Sequence, residues 1–333
     1  MKKHIFILLT LIILFAIMLC GCGENPQTGD EFILTSEISS EKQALADEVL
    51  NKFMLCYEED KPDEVLPLLS RNFSATAEEM EMFFDGIRKN CENPFVPYVS
   101  YYMNNLPVSD GSVKVKNAIE DKNYIELVPA NSELYCAIYK AQGEKVTYVL
   151  SFLLTEEDGG FKIAWINPGD FEYDGNNAEK LFELATTLEN EGKIIPAYIY
   201  SCMLGNTLRP GGYFRYEKDT EMEDLCYRLF AEISEKYALP LTLSGTENSA
   251  VYQIGIANNS DYGIIPQLLI KTDVSISDRE KLTQEAEKAV SSVGKLSGDL
   301  SESFGAVELH LTNDELADDT TSVEYETIVI DLK

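Results

Sequence analysis

The sequence predicts an α+β protein in three parts behind an N-terminal targeting segment, and three observations carry that reading. Helical-period apolar residues come first, a meander of β-branched and aromatic runs follows from Pro97, and after Asp174 the texture turns helical and then mixed again. A chain of 333 residues exceeds what one hydrophobic core usually occupies. With 45% hydrophobic and 25% charged residues, it has the composition of a globular protein.

Ser40 with Gln43 reads as a capping box, and Leu45, Val49, Phe53 and Tyr57 then recur on one helical face up to about Glu59, before Pro62. A short second helix is expected over Asp63 to Ser70. Thr76 with Glu79 opens a third, whose apolar side carries Met80, Phe83, Phe84 and Ile87. Strands are expected over Tyr98 to Met103, Val113 to Ile119, Tyr124 to Val128, Leu134 to Lys140, Val146 to Thr155 and Phe161 to Ile166. Asp110-Gly111, Asp121-Lys122-Asn123, Asn131-Ser132, Gln142-Gly143 and Asp158-Gly159-Gly160 supply the turns. Helices followed by a strand meander mean that one sheet face is covered by those helices.

The run from Ala44 through Phe73, with the strand pair Tyr148 to Leu154 and Phe161-Lys162-Ile163-Ala164-Trp165-Ile166, resembles an NTF2-like domain over residues 39–170. The resemblance rests on a late hairpin whose second strand carries aromatic-Lys-Ile-x-x-Ile after an acidic or glycine turn. It implies a cone, a curved antiparallel sheet wrapped on helices, with a pocket in its concavity. In such domains that pocket is sometimes catalytic and often only a binding or dimerisation surface.

Beyond Asp174-Gly175-Asn176-Asn177, residues 176–237 read as a helical module. Ala178, Leu181, Phe182, Leu184, Ala185 and Leu188 share one face, and Gly192 suits a C′ position. Ile194 to Leu208 forms a second helix with Pro196 in its first turn, and Thr220 to Tyr237 a third. Residues 238–333 read as a small α+β domain. Its strands are expected over Leu239 to Leu243, Ala250 to Ala257, Ile264 to Lys271, Val307 to Leu311 and Val323 to Leu332, with one helix capped by Ser277 and Glu280.

The N-terminus is an address. Lys2 and Lys3 precede an apolar run from Ile5 to Leu19, too short for a comfortable span, which needs about 20 residues. Leu19-Cys20-Gly21-Cys22 is similar to the lipobox of bacterial lipoproteins, which implies a signal peptide over 1–21, lipidation of Cys22 and a polar tether over 22–38. The expected location is the extracytoplasmic face of the cell membrane, held by the lipid anchor. Losing the signal removes two lysines and no acid, taking the net charge from −30 to −32. Such a charge argues against nucleic acid or an anionic lipid surface as the main partner.

Histidine chemistry is nearly excluded, because His310 alone remains beyond the signal segment, and no G-x-S-x-G nucleophile motif accompanies it. Among the acids, Glu126 and Glu133 lie nearest to inward strand positions. A proton-shifting carboxylate on this fold would need an apolar pocket to raise its pKa, and a solvated strand face or rim is the competing reading. Asp170, Glu172 and Asp174 with Gly175 repeat part of a calcium-loop spacing, but position 12 is Leu181 where a bidentate Glu is needed, so an acidic interdomain linker is the plainer reading. The acidic run Asp314, Glu315, Asp318 and Asp319 reads as a solvated loop. In the loop Arg209 to Arg215, the residues Arg209, Tyr213 and Arg215 are candidates to bind an anionic or sugar ligand or a partner; alternatively the aromatics pack and the arginines pair with local acids. Cys56, Cys91, Cys136, Cys202 and Cys226 are an odd set with no C-x-x-C spacing, which leaves any disulfide pairing open and favours buried thiols. No catalytic residue, metal or cofactor is assigned. The expected function is a non-enzymatic scaffold for an unknown protein or small ligand, the alternative being an NTF2-like enzyme with a buried carboxylate in its pocket.

Overall fold

The computed structural model describes residues 37–91, 93–104, 106, 112–116, 123–129, 131–297, 300–314 and 323–332. The expected signal segment, Cys22, the expected tether up to residue 36, and Glu315, Asp318 and Asp319 lie outside the described residues. The fold is mixed α+β, and its contacts divide it into two units: residues 37–181 with 203–224, and residues 182–202 with 225–332. The helical stretch 176–237 is therefore shared between the two.

In the first unit α1 (Ser40–Glu58) is capped one residue earlier than the spacing predicts. Ser39 is extended (φ −65°, ψ 149°) and its hydroxyl accepts from the Lys42 amide at 3.3 Å, as an N-cap must. Gln43 is thereby released from a capping role; its amide donates to Asp47 at 2.7 Å and to the Tyr135 hydroxyl at 2.8 Å. The short helix expected over Asp63 to Ser70 is a 3₁₀ segment, Pro62–Leu68, because Pro67 cannot donate inside it. α2 (Ala77–Asn90) carries the expected Thr76–Glu79 capping box, with both reciprocal bonds formed.

The strands are β1 (Val96–Met103), β2 (Val113–Lys116), β3 (Asn123–Leu127), β4 (Leu134–Gln142), β5 (Val146–Glu157) and β6 (Gly160–Tyr173). β1, β4, β5 and β6 form an antiparallel sheet in the order β1-β4-β5-β6. β2 and β3 join a short β7 (Phe214–Tyr216) in a separate three-stranded antiparallel sheet. One face of the four-stranded sheet packs on α1, the 3₁₀ segment and α2 through an aromatic core, with Phe53 set edge-on to Phe84 and Phe152 at centroid distances of 5.8 and 5.1 Å. The other face, with Cys136, Ile138, Val149 and Phe171, packs against Val113, Val115, Ile125, Leu127, Tyr213 and Phe214. Both faces are thus buried, which is why β4 and β5 read as apolar runs rather than strict alternation. β6 runs seven residues beyond the expected strand, so Asp170 to Tyr173 is strand and not linker. A register shift between Thr147 and Tyr148 lets the long hairpin bend there.

The second unit takes most of α3 (Ala178–Asn190), α4 (Ile194–Thr207) and α5 (Asp219–Lys236). Gly192 has φ +74°, the left-handed turn expected after a helix. Five strands follow in the order β12-β11-β10-β9-β8: β8 (Leu241–Thr242), β9 (Ala250–Asn259), β10 (Gly263–Lys271), β11 (Ala306–Thr312) and β12 (Glu326–Asp331). β10 and β11 pair in parallel, the other neighbours antiparallel. The long connection that a parallel pair requires contains α6 (Arg279–Ser297). Its cap lies at Asp278, one residue after the expected Ser277, with Asp278 Oδ1 accepting from the Lys281 amide at 3.3 Å. Leu282, Ala286, Ala289 and Val293 are buried along it. The buried Glu285 accepts from the Glu247 amide at 2.6 Å and from Ser249 Oγ, pinning the loop before β9 to the helix.

Candidate functional site

Three polar clusters in the first unit hold the sequence-predicted residues, and each is built differently. The first surrounds Glu133, just before β4. Lys42, in the first turn of α1, places its ammonium against the Glu133 carboxylate, 2.9 Å from the Tyr102 hydroxyl and 3.1 Å from Glu156. Tyr102 donates to the same Glu133 oxygen at 2.8 Å. The Lys42 ammonium, followed by the Tyr102 hydroxyl, holds the Glu133 carboxyl below its ordinary range, and Glu133 in turn raises the lysine. Beside it lies a cleft of about 360 Å³ lined by Asn131, Ser132, Glu133, Glu156, Asp158 and Gly159. A carboxylate kept ionised by a lysine is the opposite of a proton-shifting acid, so this corner suits ion pairing and polar recognition rather than general acid catalysis.

The second cluster gathers the Arg209 to Arg215 loop. Arg209 contacts Glu223 and lies 3.2 Å from Asp219. Arg215 Nε lies 3.5 Å from Glu126, whose other oxygen accepts from Ser112 at 3.0 Å. Arg215 also donates to the carbonyls of Gly212 and Phe214, at 3.1 and 2.7 Å. Burial, and then the charge of Arg209, pull the Arg215 guanidinium pKa downward. Tyr213 is buried, its hydroxyl accepting from the Cys136 thiol at 3.6 Å. The three residues expected to share a ligand therefore point apart: the tyrosine enters the core and both arginines engage acids.

Close backbone approach seats this loop. A Cβ on Gly211, where φ is +79°, would sit 2.1 Å from Ser151 Oγ. One on Gly169 would sit 2.8 Å from the Gly211 nitrogen. The two glycines let Pro210-Gly211 press against β5 and β6, which carries Tyr213 and Phe214 onto the sheet.

The third cluster joins Asp170, which the sequence singles out only for its calcium-like spacing, to Tyr173 and Asn206. Tyr173 donates to Asp170 and accepts from Asn206 Nδ2 at 3.2 Å. Burial raises the Asp170 carboxyl above its ordinary value, whereas Lys42, Lys281 and His310 hold Glu133, Asp278 and Glu308 below theirs. The calcium spacing is not realised as a site. Asp170 pairs in register with Tyr148 and Glu172 with Thr147, neighbours that face opposite sides of the sheet, so the two acids diverge. Glu172 instead lies 3.6 Å from Lys140 and Asp174 3.6 Å from Lys145. Among the described residues no group of three or more His, Cys, Asp or Glu side chains is arranged to hold a metal ion. The bulge that separates Asp170 from Glu172 has no signature in the sequence, which is why spacing alone misleads.

In the second unit His310 shares Glu308 Oε1 at 2.8 Å, lies 3.3 Å from Gln267 Nε2 and stacks on Tyr325 at 4.1 Å. Its partners are those of a strand residue, as the alternating pattern around it predicts. Asp314 accepts from the Glu324 amide at 3.1 Å. Among the described residues no helix is long and apolar enough to cross a membrane.

No family model and no curated protein matches the chain. Among solved structures, a protein of unknown function with a cystatin-like fold from Nostoc punctiforme is 6% identical, covering 40% of this chain and 95% of its own, with a TM-score of 0.26. A likeness at that score carries no argument about fold or function.

Proposed function

We propose that this chain is a lipid-anchored extracytoplasmic lipoprotein whose first unit, an NTF2-like cone, is a non-enzymatic scaffold for a protein partner or small ligand. The observation that carries the scaffold reading is the filled sheet face. Where an enzyme of that fold would keep a pocket, between the sheet and its helices, Phe53, Phe84 and Phe152 are fully buried, and Tyr213 and Phe214, at 5% and 2% exposure, fill the opposite face. The sequence-predicted acids Glu126 and Glu133 are engaged by Arg215 and Lys42 rather than held unpaired in an apolar site. The helices of α1 and α2 on one face of an antiparallel sheet support the cone.

Anchoring follows from the Leu19-Cys20-Gly21-Cys22 pattern. Several acyl chains on Cys22 hold firmly, since each buried CH₂ contributes about 0.8 kcal/mol. A body of net charge −32 is repelled by anionic headgroups and stands off on its tether. The test is fractionation of the Cys22→Ser protein, which is expected in the soluble fraction with its fold intact; a variant that still pellets with carbonate-washed membranes contradicts the anchor. Cross-linking in intact cells then distinguishes a scaffold, which captures a reproducible partner, from an enzyme. One observation favours the alternative of a buried catalytic carboxylate, namely the raised Asp170. Against it stands the engagement of its Oδ2 by Tyr173.

A further inference from the structure

We infer that Cys202 and Cys226, both free thiols in this structure, are placed to form a disulfide that ties α4 to α5. The argument begins with how the two helices face each other. The rings of Tyr198 on α4 and Phe230 on α5 lie 6.5 Å apart. Four residues on from Tyr198 is Cys202, and four residues back from Phe230 is Cys226, so one helical turn along an antiparallel contact the next rung is the two cysteines. The second rung is independently visible: the Cys226 thiol donates to the Ser201 carbonyl at 3.3 Å, the peptide group that leads directly into Cys202. The Cys202 thiol in turn meets the Tyr198 hydroxyl, and Tyr198 feels both sulfurs.

The remaining cysteines are placed otherwise. Cys56, Cys91 and Cys136 are buried in the first unit, Cys91 donating to the Asn93 carbonyl at 3.6 Å and Cys136 to Tyr213. Cys202 and Cys226 are partly exposed. The odd count of five thus resolves into one pair and three interior thiols.

The oxidant is a disulfide of the surroundings, a small-molecule disulfide such as oxidised glutathione or a protein one. One thiolate of the pair attacks it, forming a mixed disulfide and releasing one thiolate of the oxidant. The second cysteine thiolate then attacks the bridged protein sulfur, forming the Cys202–Cys226 bond and expelling the other half. Two electrons pass to the oxidant, and the two thiol protons go to its thiolates or to water. Occupancy in the cell rests on the extracytoplasmic reading above, where such oxidants persist; the pairing itself does not.

The test uses the purified chain with Cys22→Ser, equilibrated in a glutathione redox buffer, acid-quenched, alkylated and digested without reduction. The expected result is a Cys202–Cys226 cross-linked peptide about 2 Da lighter than the two thiol peptides together, while Cys56, Cys91 and Cys136 take up the alkylating reagent only after unfolding. In C202S, Cys226 is expected as the glutathione adduct. Recovery of Cys202 and Cys226 as separate thiols or separate glutathione adducts under excess oxidised glutathione overturns the inference, as does a bridge from either one to a different cysteine. Because the measurement is made on purified protein, its failure and a failure of the membrane reading are told apart.

Discussion

The four-stranded sheet of the first unit and the five-stranded sheet of the second are made from similar strand chemistry and put to different use. The first is covered on both faces, by α1 and α2 on one side and by β2, β3 and β7 with Tyr213 and Phe214 on the other. The second buries Leu268, Ile270, Leu309 and Leu311, while the alternating residues Gln267, Glu308 and His310 form a hydrogen-bonded polar row. A sheet covered on both faces commits the side chains of both faces to packing. A sheet with a polar row tolerates change on that row. The contrast teaches that in the first unit sequence is committed to packing, and in the second partly to polar contacts.

The contrast breaks most visibly at Phe152, fully buried and edge-on to Phe53 and to Tyr139 at 5.6 Å. Phe152→Ala is expected to destabilise the first unit by about 3–5 kcal/mol in urea unfolding. Val329→Ala, on an exposed strand position of the second sheet, is expected to stay within about 0.5 kcal/mol. Equal effects would mean that the two sheets are not packed differently.

Gly211→Ala comes next, at about 1–3 kcal/mol, because it adds a positive-φ penalty to a Cβ 2.1 Å from Ser151 Oγ. Gly175→Ala, with φ +73° and nothing within 4 Å of its Cβ, is the control that feels only backbone strain. The single tryptophan, Trp165, lies beside Gly212, so its emission is expected to shift in the first variant and not in the second. In the second unit, Glu285→Ala leaves the Glu247 amide without its acceptor and is expected to cost about 1–3 kcal/mol, with faster proteolysis at residues 244–249.

The smallest effect is pH dependence. Burial raises Asp170 in the folded protein, so as pH climbs from the ordinary carboxylate value through the raised one the unfolded chain gives up its proton first. Stability is therefore full below that window and falls across it. Asp170→Asn is expected to flatten this segment of the urea-midpoint profile; an unchanged slope would remove the buried carboxyl from the account.

Much of the fold was legible because it is local. Both helix starts in the first unit, the Asp158-Gly159 and Asp174-Gly175 turns and most strands follow from capping, positive-φ chemistry and apolar period. Two caps slid by one residue because Ser39 and Ser40, like Ser277 and Asp278, are adjacent residues that can each cap a helix, and local spacing does not choose between them. What was not legible is long-range. Arg209-Pro210-Gly211-Gly212 reads as an interhelical turn, and nothing local says that it inserts Tyr213 under Cys136. Asp170 and Glu172 look equivalent until the pairing with β5 turns them to opposite faces.

The closed sheet face is the claim on which the scaffold reading stands, and amide hydrogen exchange tests it most directly. The Glu126 amide donates to the Tyr213 carbonyl at 2.9 Å and β7 pairs with β3. If Tyr213 and Phe214 are permanent parts of the core, this amide and those of β7 exchange only with the unfolding of β4 and β5. Exchange there through a local opening, orders of magnitude faster than in β4, would mean that this face opens in the native protein and would contradict the closed sheet.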